Sequence, residues 1–330
     1  MKVLPLNNSM DKPKFNISDS NGFLFRRNME LIVAIICCGV ILNILFLYTI
    51  YNKKFLCKPT AYLLINLAAC GILLGLSLII STILSNILPK LRIPLQDFNL
   101  ICKIIIIFPL YWFFTATTLT LTAISVWRFI VIRIPTKKMT TKSVKILCTL
   151  LWLASTISSI PVIFTAGSKN YECRQFLDRT ATEVKIILYI IYMTHFAIPA
   201  LTMIILYSLV LIKLNSKKLA TRTSRGIRLK RRTTIMLITV TFIFIIFTLP
   251  WSITLLLSAN TGKNSIDLAL DQTHPIAQVI TQLGRLSFPL CIFYHPIIYF
   301  SFRQPFSYLL RLCFQRRINS IQVKPRQIIQ

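Results

Sequence analysis

Two arginines invite a chemical question first, because each stands where the surrounding chain carries no charge. Arg128 directly follows the uncharged run Ile104–Trp127, and Arg285 is the one break in the run Gln272–Phe302. Deep in an apolar medium a guanidinium costs at least about 2.5–3.5 kcal/mol, so it is kept where it meets an anion, a backbone carbonyl or a partner. The bland reading of Arg128 is a side chain that snorkels to lipid phosphates. Arg285 can hold the carboxylate or phosphate of a ligand, or it can pair structurally with Glu30 or Asp271. The three histidines, His195, His274 and His295, fall on different segments. No HExxH, GxSxG, paired-carboxylate or metal-ligand pattern is present. The expectation is a chain that is not an enzyme and carries no metal or cofactor.

The elements that must position these residues follow from composition. Of the 330 residues 55% are hydrophobic and 14% charged, against about 25% charged in an ordinary soluble domain. Stretches free of Asp, Glu, Lys and Arg cover Leu31–Asn52, Pro59–Pro89, Ile104–Trp127, Ile146–Ser168, Ile186–Ile212 and Thr233–Gly262, with Gln272–Phe302 as the seventh. About 20 apolar residues cross a bilayer as a helix, and lipid leaves the backbone no other partner than itself. A soluble bundle would need polar helix faces that these runs lack. The fold class expected is all-α: seven transmembrane helices, with residues 1–28 as an outer tail, 29–301 as the bundle and 302–330 as a short amphipathic eighth helix and inner tail.

Charge sets the orientation. The chain holds 38 Lys+Arg against 9 Asp+Glu, a net charge of +29. Such a balance can signal nucleic-acid binding, but the bases here sit in clusters between apolar runs, so no nucleic acid is expected. With the N-terminus outside, the inner segments hold Lys53, Lys54 and Lys58, then Arg133, Lys137, Lys138, Lys142 and Lys145, then nine bases from Lys213 to Arg232, then the basic tail. All nine acids fall outside, from Asp11 to Asp271. Lys and Arg mark cytoplasmic loops; Arg26 and Arg27 weigh weakly the other way. The first span then serves as its own uncleaved insertion signal. Glycosylation sequons at Asn7 and Asn16 lie in the outer tail. Nine cysteines are too few and scattered for a disulfide scaffold. Cys102 and Cys173 both face the oxidising side and can be bridged there. Cys313, in the inner tail, is a candidate palmitoylation site beside lipid-attracting bases.

The order of short motifs resembles the rhodopsin-like G-protein-coupled receptors. Arg128 precedes Pro135 with the spacing of the helix-three arginine motif, with Phe129 in place of its tyrosine. Trp152 with Pro161 is similar to helix four, and Pro199 followed by Tyr207 is similar to helix five. Phe244 and Pro250 resemble remnants of the helix-six pattern. His295-Pro296-Ile297-Ile298-Tyr299 resembles the NPxxY sequence, with Phe306 opening an eighth helix. Asn43 and Asn66-Leu67-Ala68 complete the set. The resemblance covers roughly residues 29–315. It implies that Arg128 meets a heterotrimeric G protein once helix six swings outward, with Tyr207 and Tyr299 supporting that form. It also implies a bridge between Cys102 and Cys173. Proline kinks at Pro199, Pro250 and Pro296 supply hinge points.

Several positions depart from the family pattern. Gly71 stands where helix two has an aspartate, and Trp127 where an acid restrains the arginine at rest. Thr248 stands at the helix-six tryptophan, with Trp251 three residues later, and His295 at the NPxxY asparagine. The third span's uncharged run has no acid for an amine and Leu286–Leu290 has no lysine for retinal. An extracellular ligand is therefore expected to be a peptide or an anionic small molecule, with Arg285, Tyr111, His195, Trp251 and Gln282 as candidate contacts and Tyr192 nearby. The expected function is a plasma-membrane receptor that signals to a heterotrimeric G protein. Two alternatives stand beside it. One is a receptor-like protein that does not signal through G proteins. The other is a membrane transporter, disfavoured by the lack of internal repeats and of acids inside the spans.

Overall fold

The computed structural model describes residues 17–52, 59–91, 93–134, 136, 139–169, 172–175, 182–214 and 225–302, with the backbone alone at 17–29, 52, 59–60, 214, 225–233 and 299–302. Seven helices are long and apolar enough to cross a membrane, their apolar stretches being Glu30–Tyr51, Ala61–Leu91, Leu95–Arg133, Thr141–Thr165, Thr182–Lys213, Thr234–Thr261 and Pro275–Ile298. The helices outrun the uncharged segments. The third begins at Leu95 and takes in Asp97 and Lys103, and the fifth begins at Thr182 and takes in Glu183 and Lys185. Absence of charge measures the hydrocarbon layer, whereas helical hydrogen bonding continues into the headgroup zone where charges are solvated. The first helix likewise runs Ile17–Asn52, so the polar boundary expected at residue 28 falls within it. Phe306, Cys313, Asn7, Asn16, Pro135 and the expected eighth helix lie outside the described residues.

The surface is apolar and the interior is partly polar. Ile157, Phe164 and Ile276 are 67%, 76% and 76% exposed, and they stand among dozens of exposed Leu, Ile and Val side chains. In water such a surface would drive association; in lipid it is the solvated face. Inside, Thr115, Thr117, Thr118 and Thr120 are all buried on the third helix. Each returns its hydroxyl to the carbonyl four residues earlier, at 2.6–3.0 Å. That local bond satisfies the hydroxyl without a partner helix and leaves a small side chain for close packing.

Two asparagines tie helices together. Asn66 Nδ2 donates to Thr120 Oγ1 at 2.8 Å, and Trp152 Nε1 donates to Asn66 Oδ1 at 2.8 Å, which joins the second, third and fourth helices. Asn43 Nδ2 donates to the carbonyls of Gly39 at 2.8 Å and Ile292 at 3.0 Å, which joins the first helix to the seventh. Gly71 makes room for this link, since a Cβ there would lie 3.2 Å from the Asn43 amide. The tightest approach of the sixth and seventh helices is at Gly284. A Cβ on it would stand 2.8 Å from the Trp251 nitrogen and 3.0 Å from the Pro250 carbonyl carbon, so only glycine lets the two backbones meet beside Pro250.

Two helices are widened by a π turn, over Cys102–Ile107 and Met193–Ala197, and each turn precedes a proline, Pro109 and Pro199. A proline ring clashes with the carbonyl four residues earlier and offers no N–H. Those carbonyls belong to Ile105 and His195, inside the π turns. The ladder opens by one residue there, with Phe108 N–H bonding to Lys103 and Ile198 N–H to Met193.

The outer end holds a feature the all-helical expectation left out. Gly167–Lys169 (β1) and Glu172–Arg174 (β2) form a two-stranded antiparallel hairpin, with Ser168 opposite Cys173. Cys173 is bonded to Cys102, their Cα atoms 5.4 Å apart, as the sequence led one to expect. Asn99 Oδ1 accepts from the Ser168 N–H at 2.9 Å. Beneath lies an outer core of Phe98, Cys102, Ile106, Tyr111, Val162, Ile191 and Leu255. The sixth helix ends at Gly262, which takes the left-handed φ of 66° that favours glycine after a helix. A short outer helix, Ser265–Leu270, leads to the seventh.

Candidate functional site

The inner half is organised around Arg128, half-buried on the third helix one residue after the buried Trp127. Tyr207 on the fifth helix is 5% exposed. Its hydroxyl lies beside Thr241 of the sixth helix and within electrostatic reach of Arg128. It has no hydrogen-bond partner among the described residues. Three helices thus converge on a phenol whose hydrogen-bonding capacity is unspent. The arginine has neighbours of its own but no acid at position 127. The Tyr299 side chain, expected to join this group, lies outside the described residues.

A run of rings links this region to the outer half. Trp251 packs on Phe288 with centroids 5.4 Å apart, Phe288 on Phe114 at 5.1 Å, and Phe114 on Phe244 at 5.9 Å. Phe244, fully buried, stacks on His295 at 6.1 Å. Thr248, where the family carries tryptophan, is also fully buried and bonds to the Phe244 carbonyl at 2.7 Å. Phe114 and Phe288, which join Trp251 to Phe244 in this run, were missed by sequence reasoning; each is one apolar residue among many in its span. Pro250 and Pro296 lie inside the sixth and seventh helices as expected.

On the outer side the structure brings two of the expected ligand contacts together. His195, in the second π turn, is 1% exposed, and its ring lies 6.0 Å from that of Tyr111. Its Nε2 faces the Ser158 carbonyl at 3.1 Å, whereas Nδ1 is buried with no partner among the described residues. Ser159 Oγ, Ser258 Oγ and Thr281 Oγ1 are likewise buried and unpartnered. Buried polar atoms are normally satisfied, so this end holds hydrogen-bonding capacity that a ligand or water can use. Arg285 is half-buried on the seventh helix beside Gly284. Gln282 is exposed, and its Nε2 donates to the Ala269 carbonyl at 3.0 Å, as that of Gln278 does at 3.3 Å. The two glutamines fasten the short outer helix to the seventh.

Asp271, offered above as a partner for Arg285, is taken up elsewhere. Its carboxylate pairs with Lys263, accepts from the Thr273 N–H at 3.1 Å and faces the His274 ring at 3.1 Å. The Lys263 ammonium, and then the Thr273 hydroxyl, hold this carboxyl well below the usual carboxylate range. A lowered folded-state value contributes stability that is present above the unfolded pKa of about 3.9 and lost as pH falls through the folded value. Protonation of Asp271 therefore does not disturb this loop between about pH 7 and pH 5.

Among the described residues no group of three or more His, Cys, Asp or Glu can hold a metal ion. The sequence matches the family model of the 7 transmembrane receptor (rhodopsin family) over residues 42–299. The match takes in Asn43, which ties the first and seventh helices, and ends at the Tyr299 of the NPxxY-like sequence, and its members are receptors rather than enzymes. With seven spans, the disulfide and this match on most of its length, the chain belongs to the rhodopsin family of seven-transmembrane receptors.

Proposed function

We propose that this protein is a plasma-membrane receptor, N-terminus outside, that carries a signal from a peptide or anionic small molecule to a heterotrimeric G protein. Membership of the family implies receptor activity, a G protein and an extracellular ligand; the ligand class and the residues below are our reading. The observation that supports it most is Arg128, a cation at the inner end of a membrane helix, held near a buried Tyr207 hydroxyl on the helix opposite. When the sixth helix moves outward, that arginine is the group able to meet the carbonyl-rich end of an inserted G-protein helix. Tyr207, Phe244, Pro250, Pro296 and Tyr299 support the change. The inner bases from Lys213 to Arg232 attract anionic lipid at about 1 kcal/mol each when near the leaflet, and Cys313 adds a lipid anchor. Asn7 and Asn16 carry glycans outside.

On the ligand side we assign Arg285 to an anionic group, with Tyr111, His195 and Trp251 lining the same region and Gln282 at its rim. The test has two stages: G-protein activation in cells without added ligand, then peptides and anionic metabolites as agonists. Arg285→Gln is expected to lower agonist potency by about tenfold or more, the effect of losing one charge-assisted hydrogen bond of about 1.5–3 kcal/mol, with surface expression unchanged. Loss of expression that returns when charges are exchanged between Arg285 and Glu30 would make Arg285 a structural residue instead.

Trp127 favours a second reading. It fills the position of the restraining acid and is buried, so the same fold fits a receptor-like protein that no longer couples. Basal signalling decides between them.

A further inference from the structure

Among the described residues, the outer end of the bundle holds two bodies linked by an ion pair. The first body is the hairpin, held to the third helix by the Cys102–Cys173 bond and by the Asn99–Ser168 contact. It rests on the second and third helices. The second body is the short outer helix Ser265–Leu270, fastened to the seventh helix through Gln278 and Gln282 on the Ala269 carbonyl. Arg174, next to the disulfide, reaches from the first body to the second: its guanidinium bonds Glu172 of its own strand at 3.0 Å and Asp267 of the short helix at 3.3 Å.

This link differs from an ordinary surface pair. The Arg174 side chain is 12% exposed and Asp267 24% exposed, so both charges are largely withdrawn from water and gain more from each other than exposed charges do. It differs from the other ionic tie of the described rim, Lys263–Asp271, which joins the end of the sixth helix to the start of the seventh within one wall. Tyr189 donates to Asn260 Oδ1 at 2.6 Å to join the fifth and sixth helices. A neutral hydrogen bond inside one wall does not cross the opening; the Arg174–Asp267 pair does, because it runs from the third-helix side to the sixth- and seventh-helix side. Below the rim lie the buried unpartnered hydroxyls of Ser258 and Thr281.

We infer that the Arg174–Asp267 pair is a strap across the mouth of the bundle, and that its opening controls access of water-soluble molecules to the interior. A soluble ligand must part the hairpin from the short outer helix, and an anionic one can do so by taking the place of Asp267 on Arg174. The inference rests on the reading that ligands arrive from the outer face, but its test uses neither a ligand nor a signal. The two can therefore fail separately.

The test is cysteine accessibility from outside intact cells. Thr281→Cys and, separately, Ser258→Cys place a thiol below the strap at positions whose hydroxyls have no partner to lose. A membrane-impermeant methanethiosulfonate reagent is applied, with the receptor lacking the new cysteine as background. Asp267→Asn, which keeps the side-chain shape, and Arg174→Gln are each expected to speed labelling by about fivefold, as expected for a pair of about 1 kcal/mol. Arg174→Lys, which keeps the charge facing both Glu172 and Asp267, is expected to hold the rate within about twofold of the parent. Equal labelling rates in the parent and both single variants, at matched surface expression, overturn the strap. So does a rate in Arg174→Lys as fast as in Arg174→Gln, and so does a thiol that neither single variant exposes to the reagent above background.

Discussion

Replacing Cys102 or Cys173 with Ser is expected to remove most of the protein from the cell surface. The bond closes a loop of 71 residues, which corresponds to about 4 kcal/mol of chain entropy in a fully unfolded chain. In a membrane the unfolded state retains its helices, so the entropic share is smaller than that figure. Packing supplies the rest: Cys102 is fully buried in the outer core with Phe98, Ile106 and Tyr111, and Cys173 lies against that cluster. Without the bond the hairpin loses its hold on the third helix and the Arg174 link loses its anchor. Surface labelling of the two single variants and the double variant checks this. Near-equal losses in all three identify the bond, whereas additive losses would show two independent packing defects. Free thiols at both positions in surface protein would contradict the bond itself.

The second large effect is expected at Arg128 and its neighbour. In relatives an acid beside the arginine holds it inward at rest. Here Trp127 holds that place, and Gly71 removes the helix-two acid; the Asn43 amide packs there and ties to the Ile292 carbonyl instead. Losing about 1.4 kcal/mol of preference for the resting form raises the ratio of active to resting molecules tenfold. Ligand-independent signalling is therefore expected to be raised, and Trp127→Asp is expected to lower it at matched expression. Trp127 is buried, so its loss also leaves a cavity that typically costs about 3–5 kcal/mol. Trp127→Ala separates the two effects, since it opens the cavity without supplying the acid.

The parts of this architecture that were legible in the sequence are those written in composition. Seven spans follow from where charge is missing, and the disulfide follows from which cysteines lie outside. The long-range polar ties were legible only in part: Asn43 and Asn66 stood out as motif residues, but Ile292 and Thr120 as their partners did not. The π turns at Cys102–Ile107 and Met193–Ala197 change the helical period by one residue without changing hydrophobicity. Pro109 and Pro199 were the available signal, and a widened turn precedes each. Gln282 was grouped with the ligand contacts because it is polar and near a helix end. Its Nε2 also donates to the Ala269 carbonyl, a tie made by the short outer helix that no uncharged run predicts. The same is true of Arg174 and Asp267. Any outer acid can pair with any outer base on paper, and the hairpin register selects this pair.

The central claim is that Arg128 transmits the receptor's state to a heterotrimeric G protein, and the direct measurement is G-protein activation in cells without ligand, at matched surface expression. The parent protein is expected to signal above cells lacking it, Trp127→Asp to reduce that signal, and Arg128→Ala to abolish both basal and agonist-driven activation. A parent that is silent at the cell surface, with neither substitution changing its output, would contradict the account and leave the non-coupling reading in its place.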